Sequence, residues 1–117
     1  MDPSKPSSDR RQNERKPLRT TSYLRLPGSR PTAVRSVDIS LGGMSIIATA
    51  NPPSKTSCVL RVGLPAGAQG IKLVEVEAKV LHSVFSGRED GFKVGLSFVN
   101  LGAEARQAIS SYLSSVR

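Results

Sequence analysis

The sequence predicts an all-β domain of six short antiparallel strands followed by one C-terminal α-helix. From residue 18 onward, short segments alternate apolar with polar residues, and clusters of Gly, Pro, Asn and Ser separate them. After Gly102 the apolar spacing lengthens to that of a helix. These elements favour a small six-stranded β-barrel capped by the helix, because closure removes exposed strand edges. A sandwich is the alternative, which periodicity alone does not separate from a barrel.

The first four predicted strands each end at a cluster of turn-forming residues. They cover about 18–26, 33–39, 44–50 and 57–64. Within the fourth strand, Cys58 shares its parity with apolar residues, which predicts a small core side chain. A loop is expected at 65–70 because this stretch contains Pro and Gly.

The fifth strand shows the clearest alternation in the chain. Its predicted inner face consists of every second residue from 74 to 84, and all but one of these are apolar: Val74, Val76, Ala78, Val80, His82 and Val84. Residues 86–91 (SGREDG) predict a hairpin loop. His82 is then interpreted as a partly buried strand histidine, and a contribution of its ring to a binding site is the alternative.

The sixth strand, at about 92–99, places Phe92 and Phe98 on its inner face. In the helix, at about 103–117, apolar residues at spacings of four, four and three form one stripe: Ala105, Ile109, Leu113 and Val116.

Composition narrows the classes of function. The 117 residues fit one domain, with residues 1–17 as a flexible basic segment and 18–117 as the folded unit. A signal peptide and a membrane-spanning stretch are both missing from the sequence, so a cytoplasmic location is expected. One cysteine and one histidine exclude an internal disulfide, a Cys-rich zinc site and any multi-histidine metal or catalytic site. We expect no metal, no cofactor and no enzymatic activity.

Positive charge is concentrated near the N-terminus. The formal net charge is +8, of which +6 falls in residues 1–36. This asymmetry suggests an anionic partner, and the alternative is a solvated basic tail.

Two motifs do not follow from core building. The first is RxxxR, formed by Arg11 and Arg15 with Arg10 beside them. Arginine presents a flat set of donors that fits phosphate oxygens and the O6/N7 edge of guanine. The second is DxSxxG at 38–43, in which strand parity places Asp38 and Ser40 together on the outer face.

The second motif suits a guanine nucleotide. The Asp38 carboxylate can accept from N1–H and the N2 amino group of guanine, and the Ser40 hydroxyl can donate to phosphate. Gly43 permits a positive φ and close approach of a ligand. Asp, Ser and Gly are also frequent turn formers, so a purely structural turn is the alternative.

Taken in this order and spacing, RxxxR followed by DxSxxG resembles the PilZ domain, a family of bacterial receptors for cyclic di-GMP. The resemblance extends to Val-Gly-Leu-Ser-Phe at 94–98 and to the final helix. It implies a six-stranded split β-barrel with a C-terminal helix, in agreement with the periodicity.

The resemblance also implies a role for each motif residue. Arg11 and Arg15 would bind phosphates and guanine from a mobile loop, while Asp38 would hold a guanine edge and Ser40 would contact phosphate. Gly42 and Gly43 would leave room for the ligand. Arg10 lies where the family's sequence influences whether one cyclic di-GMP or an intercalated pair binds, and both stoichiometries stay open.

A non-enzymatic mechanism is therefore expected. Cyclic di-GMP would neutralise residues 1–17, which would fold over the barrel and present a new surface to a downstream protein. Two alternatives are an adaptor that does not bind nucleotide and a small nucleic-acid-binding barrel. The sequence has only 4% aromatic residues and no Trp, so a stacking platform for nucleic acid is not expected.

Overall fold

Alternating apolar and polar residues form seven strands and one helix in the computed structural model, which describes residues 14–115. The elements are β1 (Lys16–Pro17), β2 (Thr21–Arg25), β3 (Thr32–Ile39), β4 (Gly43–Ala48), β5 (Ser57–Pro65), β6 (Ile71–Ser86), β7 (Gly91–Asn100) and α1 (Ala103–Ser115). The predicted 65–70 loop contains a short 3₁₀ turn, Gly67–Gln69.

The six longer strands close into an antiparallel barrel. Their order is β3-β2-β5-β6-β7-β4, and β4 pairs back onto β3. The two-residue β1 pairs with β3 beyond the end of β2. The predicted barrel is therefore confirmed, and the sandwich alternative is wrong, because the β3–β4 pairing joins the two ends of the sheet into one ring.

The barrel interior is filled by the inward residues of every long strand, and α1 packs against β5 and β6 through Ala105 and Ile109. Cys58 is among the buried residues, as expected. The 13-residue α1 is too short to cross a bilayer, and residues 14–115 include no helix that could do so.

The first predicted strand, 18–26, contains only β2, and residues 18–20 form an irregular link from β1, which lies before the predicted range. Lys16 lies opposite Ile39, whereas Thr21 lies opposite Arg35, so the register against β3 shifts by one residue between them. The Leu18 amide still donates to the carbonyl of Val37 at 3.0 Å. This shift interrupts regular pairing, and periodicity does not reveal it because Leu18 remains buried.

The fifth predicted strand departs from its alternation at Leu81. Val80 lies opposite Leu96 and His82 lies opposite Gly95, so Leu81 is an extra residue in a bulge. One inserted residue exchanges the two faces of everything after it. The predictions that His82 is partly buried and that Val84 faces the core are therefore wrong, since both side chains are exposed.

Candidate functional site

The two sequence motifs meet at an ion pair. The Arg15 guanidinium Nη1 lies 2.8 Å from Asp38 Oδ1 and donates to it. The local fold accounts for this contact, since β1 pairs with β3 and sets Pro17 directly opposite Asp38. Both side chains are partly open to solvent, with 45% and 25% of their surfaces exposed, so a ligand can reach either group. Arg10 and Arg11 lie outside the described residues.

Tyr112 links this corner of the barrel to the C-terminal helix. Its hydroxyl donates to the Pro17 carbonyl, two residues from Arg15. Partial burial raises the pKa of Tyr112 above its ordinary value, which keeps the hydroxyl protonated as a donor. The segment that precedes β2 is therefore held by β3 on one side and by α1 on the other.

Ser40 differs from its expected position on the outer face. Only 2% of the residue is exposed, and its Oγ accepts from the amides of Gly42 at 3.1 Å and Gly43 at 3.2 Å. The hydroxyl therefore closes the turn between β3 and β4, as turn-forming serines do. A contact between Ser40 and phosphate stays a prediction.

Gly43 also has a structural reason to be glycine. A Cβ at this position would lie 2.1 Å from the Leu96 carbonyl oxygen on β7. Its φ is not positive, unlike those of Gly28, Gly67 and Gly70, so the expected left-handed conformation is absent at this residue. The neighbouring Gly42 is exposed and accepts from the Phe98 amide at 2.9 Å. The close approach that Gly43 permits is thus of a strand, and room for a ligand beside Gly42 and Gly43 remains a prediction.

Asp38 begins a row of residues that crosses four strands on the outside of the barrel. The register places Asp38 opposite Ser45, Ser45 opposite Gly95, and Gly95 opposite His82. We call these four residues the outer strip. With neighbouring strands about 4.8 Å apart, the strip is roughly 14 Å long.

Gly95 and His82 form a flat end of the outer strip. A Cβ at Gly95 would lie 2.6 Å from His82 Nε2, which shows that the imidazole lies across the glycine. An exposed ring held against backbone in this way offers a surface on which a planar base can stack. Asp38, at the other end, offers hydrogen-bond acceptors.

Basic residues flank the outer strip. Lys93 precedes Gly95 by two positions on β7, and Arg35 precedes Asp38 on β3. Arg35 binds the β6–β7 loop through Glu89, with Nη1 3.5 Å from Oε1. In residues 14–115 no carboxylate lies within salt-bridge distance of Lys93. The surface around the strip therefore suits an anionic ligand with planar groups.

Within residues 14–115, this surface has neither a cluster of metal ligands nor an exposed thiol. The described range 14–115 contains no group of three or more His, Cys, Asp or Glu side chains that could hold a metal ion. Cys58 is buried inside the barrel, and burial raises the pKa of its thiol, which keeps the sulfur protonated and unreactive.

The family model of the PilZ domain matches residues 9–115. This chain belongs to the PilZ domain family. The match includes both motifs and every strand of the barrel. A search of the curated proteins gave no significant match.

Solved structures share the fold at low sequence identity. The inhibitor of motility MotI/DgrA from Bacillus subtilis is 22% identical with a TM-score of 0.77, and the match covers 91% of this chain and 50% of that one. The chain thus spans about half the length of that protein. The PilZ domain of YcgR from Escherichia coli, solved with cyclic di-GMP, is 18% identical with a TM-score of 0.59, covering 92% and 91%.

A third similar structure is the PlzA protein of Borreliella burgdorferi in complex with cyclic di-GMP. It is 15% identical with a TM-score of 0.64, and the match covers 94% of this chain and 43% of that one. At these identities the likeness establishes the fold of the PilZ domain, which agrees with the architecture predicted from periodicity.

Sequence reasoning did not single out Ser45, Gly95 and Lys93. No local motif contains them, because they join the site through cross-strand register. The signal available for Lys93 and Gly95 was their place on the outer parity of β7, where they alternate with the inward Phe92, Val94 and Leu96.

Proposed function

We propose that this PilZ domain is a receptor for cyclic di-GMP and binds it across the outer strip. The observation that carries the proposal is the 2.8 Å contact between Arg15 and Asp38, which joins the RxxxR and DxSxxG motifs at one accessible corner. Membership of the PilZ family and the cyclic di-GMP complexes of similarly folded YcgR and PlzA support the same ligand.

Asp38 and Arg15 supply complementary recognition. The Asp38 carboxylate accepts from N1–H and the N2 amino group of guanine, a pair of donors that adenine lacks. Arg15 donates to two phosphate oxygens in the bidentate manner that guanidinium groups favour. Ligand binding thus replaces a partly exposed ion pair with two charge-assisted contacts, and an exposed pair of this kind contributes only about 0–1 kcal/mol.

The far end of the strip supplies a stacking surface. The His82 ring lies against Gly95, and an imidazole face stacks on a purine without selecting its hydrogen-bond pattern. Discrimination between guanine and adenine is therefore assigned to Asp38, and affinity is shared along the strip. Gly42, Gly43 and Ser40 support this surface through the β3–β4 turn.

The N-terminal segment completes the site. Arg10 and Arg11 bring further positive charge to phosphate, and the residues that precede β1 close over the ligand and create a surface for a downstream protein. One ligand or an intercalated pair satisfies this arrangement. Binding alone performs this role, so no catalytic activity is expected.

Titration calorimetry with purified protein tests the proposal. Cyclic di-GMP should bind saturably, whereas GTP and cyclic AMP should not. Arg15→Ala and Asp38→Ala should each weaken binding at least about tenfold, the effect of losing a charge-assisted hydrogen bond.

Arg61→Ala is the matched control for the arginine variant. Arg61 is an exposed arginine paired with Glu75 at 3.6 Å, on β5 and away from the outer strip. Its loss should leave binding unchanged. Absence of cyclic di-GMP binding to the wild-type protein would reject the receptor role and favour the adaptor alternative.

A further inference from the structure

Lys93 is an exposed residue of β7 that flanks the outer strip. It lies on β7, which is flanked by β6 on one side and β4 on the other. Because residues two apart share a face, Lys93 is on the same side of the sheet as Gly95 and lies diagonal to His82. Its ammonium group can therefore reach the space above the outer strip.

Within residues 14–115, Lys93 has no ion-pair partner. Its cross-strand neighbours are Ile47 and Val84, which are both apolar. Of the acids on this side of the barrel, Asp38 pairs with Arg15 and Glu89 with Arg35, and Asp90 forms no ion pair with Lys93. The lysine is exposed, so its charge is solvated and available to an incoming anion.

A cyclic dinucleotide presents two phosphates, and Arg15 can meet one of them. The two phosphodiester groups of this ligand lie on opposite sides of its ring. Arg15 approaches Asp38 from the side of β1. Lys93 lies on the opposite side, on β7, which is two strands away from β3 and so about 10 Å across the sheet. One phosphate can thus be met by Arg15 and the other by Lys93.

We infer that Lys93 is a second phosphate-binding residue, provided by the barrel wall and independent of the RxxxR segment. This inference rests on the proposed function and extends it. It assigns one phosphodiester of cyclic di-GMP to Arg15 and the other to Lys93 on β7. The ligand is thereby anchored at two points of the barrel wall.

The test is titration calorimetry of cyclic di-GMP into the wild-type protein and three variants. Lys93→Met keeps the stem and removes the charge, and it should weaken binding about tenfold. Lys93→Arg preserves the cation and should stay within about threefold of wild type. Lys72→Met removes an equal charge at a position near α1, where Lys72 lies 3.8 Å from Glu104, and should change nothing.

Salt dependence gives a second readout. Lys93→Met should bind with a shallower dependence on ionic strength than wild type, because one phosphate–cation contact is lost. Since Lys93 is exposed, the melting temperature of the Lys93→Met variant should equal that of the wild-type protein. This comparison separates a lost ligand contact from a damaged fold.

The outcomes separate the inference from the proposed function. If Lys93→Met binds like wild type while Arg15→Ala does not bind, the inference is overturned and the receptor role stands. An equal loss in Lys93→Met and Lys72→Met would also overturn it, because net charge alone would then explain the effect. If the wild-type protein fails to bind, both are rejected.

Discussion

At the scale of single residues, the site depends on which side chains remain accessible. Arg15 and Asp38 neutralise one another in a partly exposed pair, so a ligand can separate them at little cost. Ser40 and Gly43 have the opposite character, because one is buried in a turn and the other is pressed against β7. The DxSxxG motif therefore combines one exposed recognition group with residues that shape the backbone beneath it.

Gly43→Ala tests this structural role. The added Cβ would lie 2.1 Å from the Leu96 carbonyl, and backbone cannot yield as a flexible side chain does. We expect a loss of about 2 kcal/mol or more in the free energy of unfolding, measured by urea denaturation.

Gly102→Ala is the control, because a Cβ at that position meets no atom within 4 Å and its φ is not positive. It should leave the unfolding free energy nearly unchanged. Equal stability of the Gly43 and Gly102 variants would show that β4 and β7 are not held as close together as described.

At the scale of elements, alternation predicted the strands well and bulges poorly. The inner face of β7 from Phe92 to Phe98 and the buried positions of α1 were both anticipated, because each keeps one period over those residues. The exposure of His82 was not anticipated, since the extra residue at Leu81 is defined only by its pairing with β7. Ser40 was misplaced for a related reason, as the strand ends before it and a turn sets its direction.

Register explains why half of the candidate site was visible from sequence. Asp38 and Arg15 belong to motifs whose residues are close along the chain. Ser45, Gly95 and His82 join Asp38 only when four strands align, and this requires pairings that a single sequence does not specify.

The contact of α1 with β1 also belongs to this scale. Tyr112→Phe removes the hydrogen bond to the Pro17 carbonyl and should lower the unfolding free energy by about 1 kcal/mol. It should also speed hydrogen exchange at the Leu18 amide, which bonds to Val37 beside β1.

Ser110→Ala, at an exposed position of the same helix, provides the comparison and should affect neither quantity. Unchanged exchange at Leu18 in Tyr112→Phe would mean that α1 does not hold the segment bearing Arg15.

At the scale of the whole molecule, the barrel holds the outer strip in place, and the N-terminal third of the chain carries most of the net positive charge. The closed barrel fixes the outer strip with paired backbone on both sides of β3, β4 and β7. Most of the net positive charge instead lies in residues 1–36, which contain the RxxxR motif. A ligand with two phosphates can thus join a basic segment to a preformed surface, and this is the central claim of the receptor proposal.

Amide NMR of the wild-type protein during titration with cyclic di-GMP tests this claim most directly. The account predicts saturable shifts at Asp38, Ser45, Gly95 and His82, with residues of β5 such as Arg61 unaffected. Shifts confined to the β2–β5 side of the barrel, or none at any concentration, would contradict it.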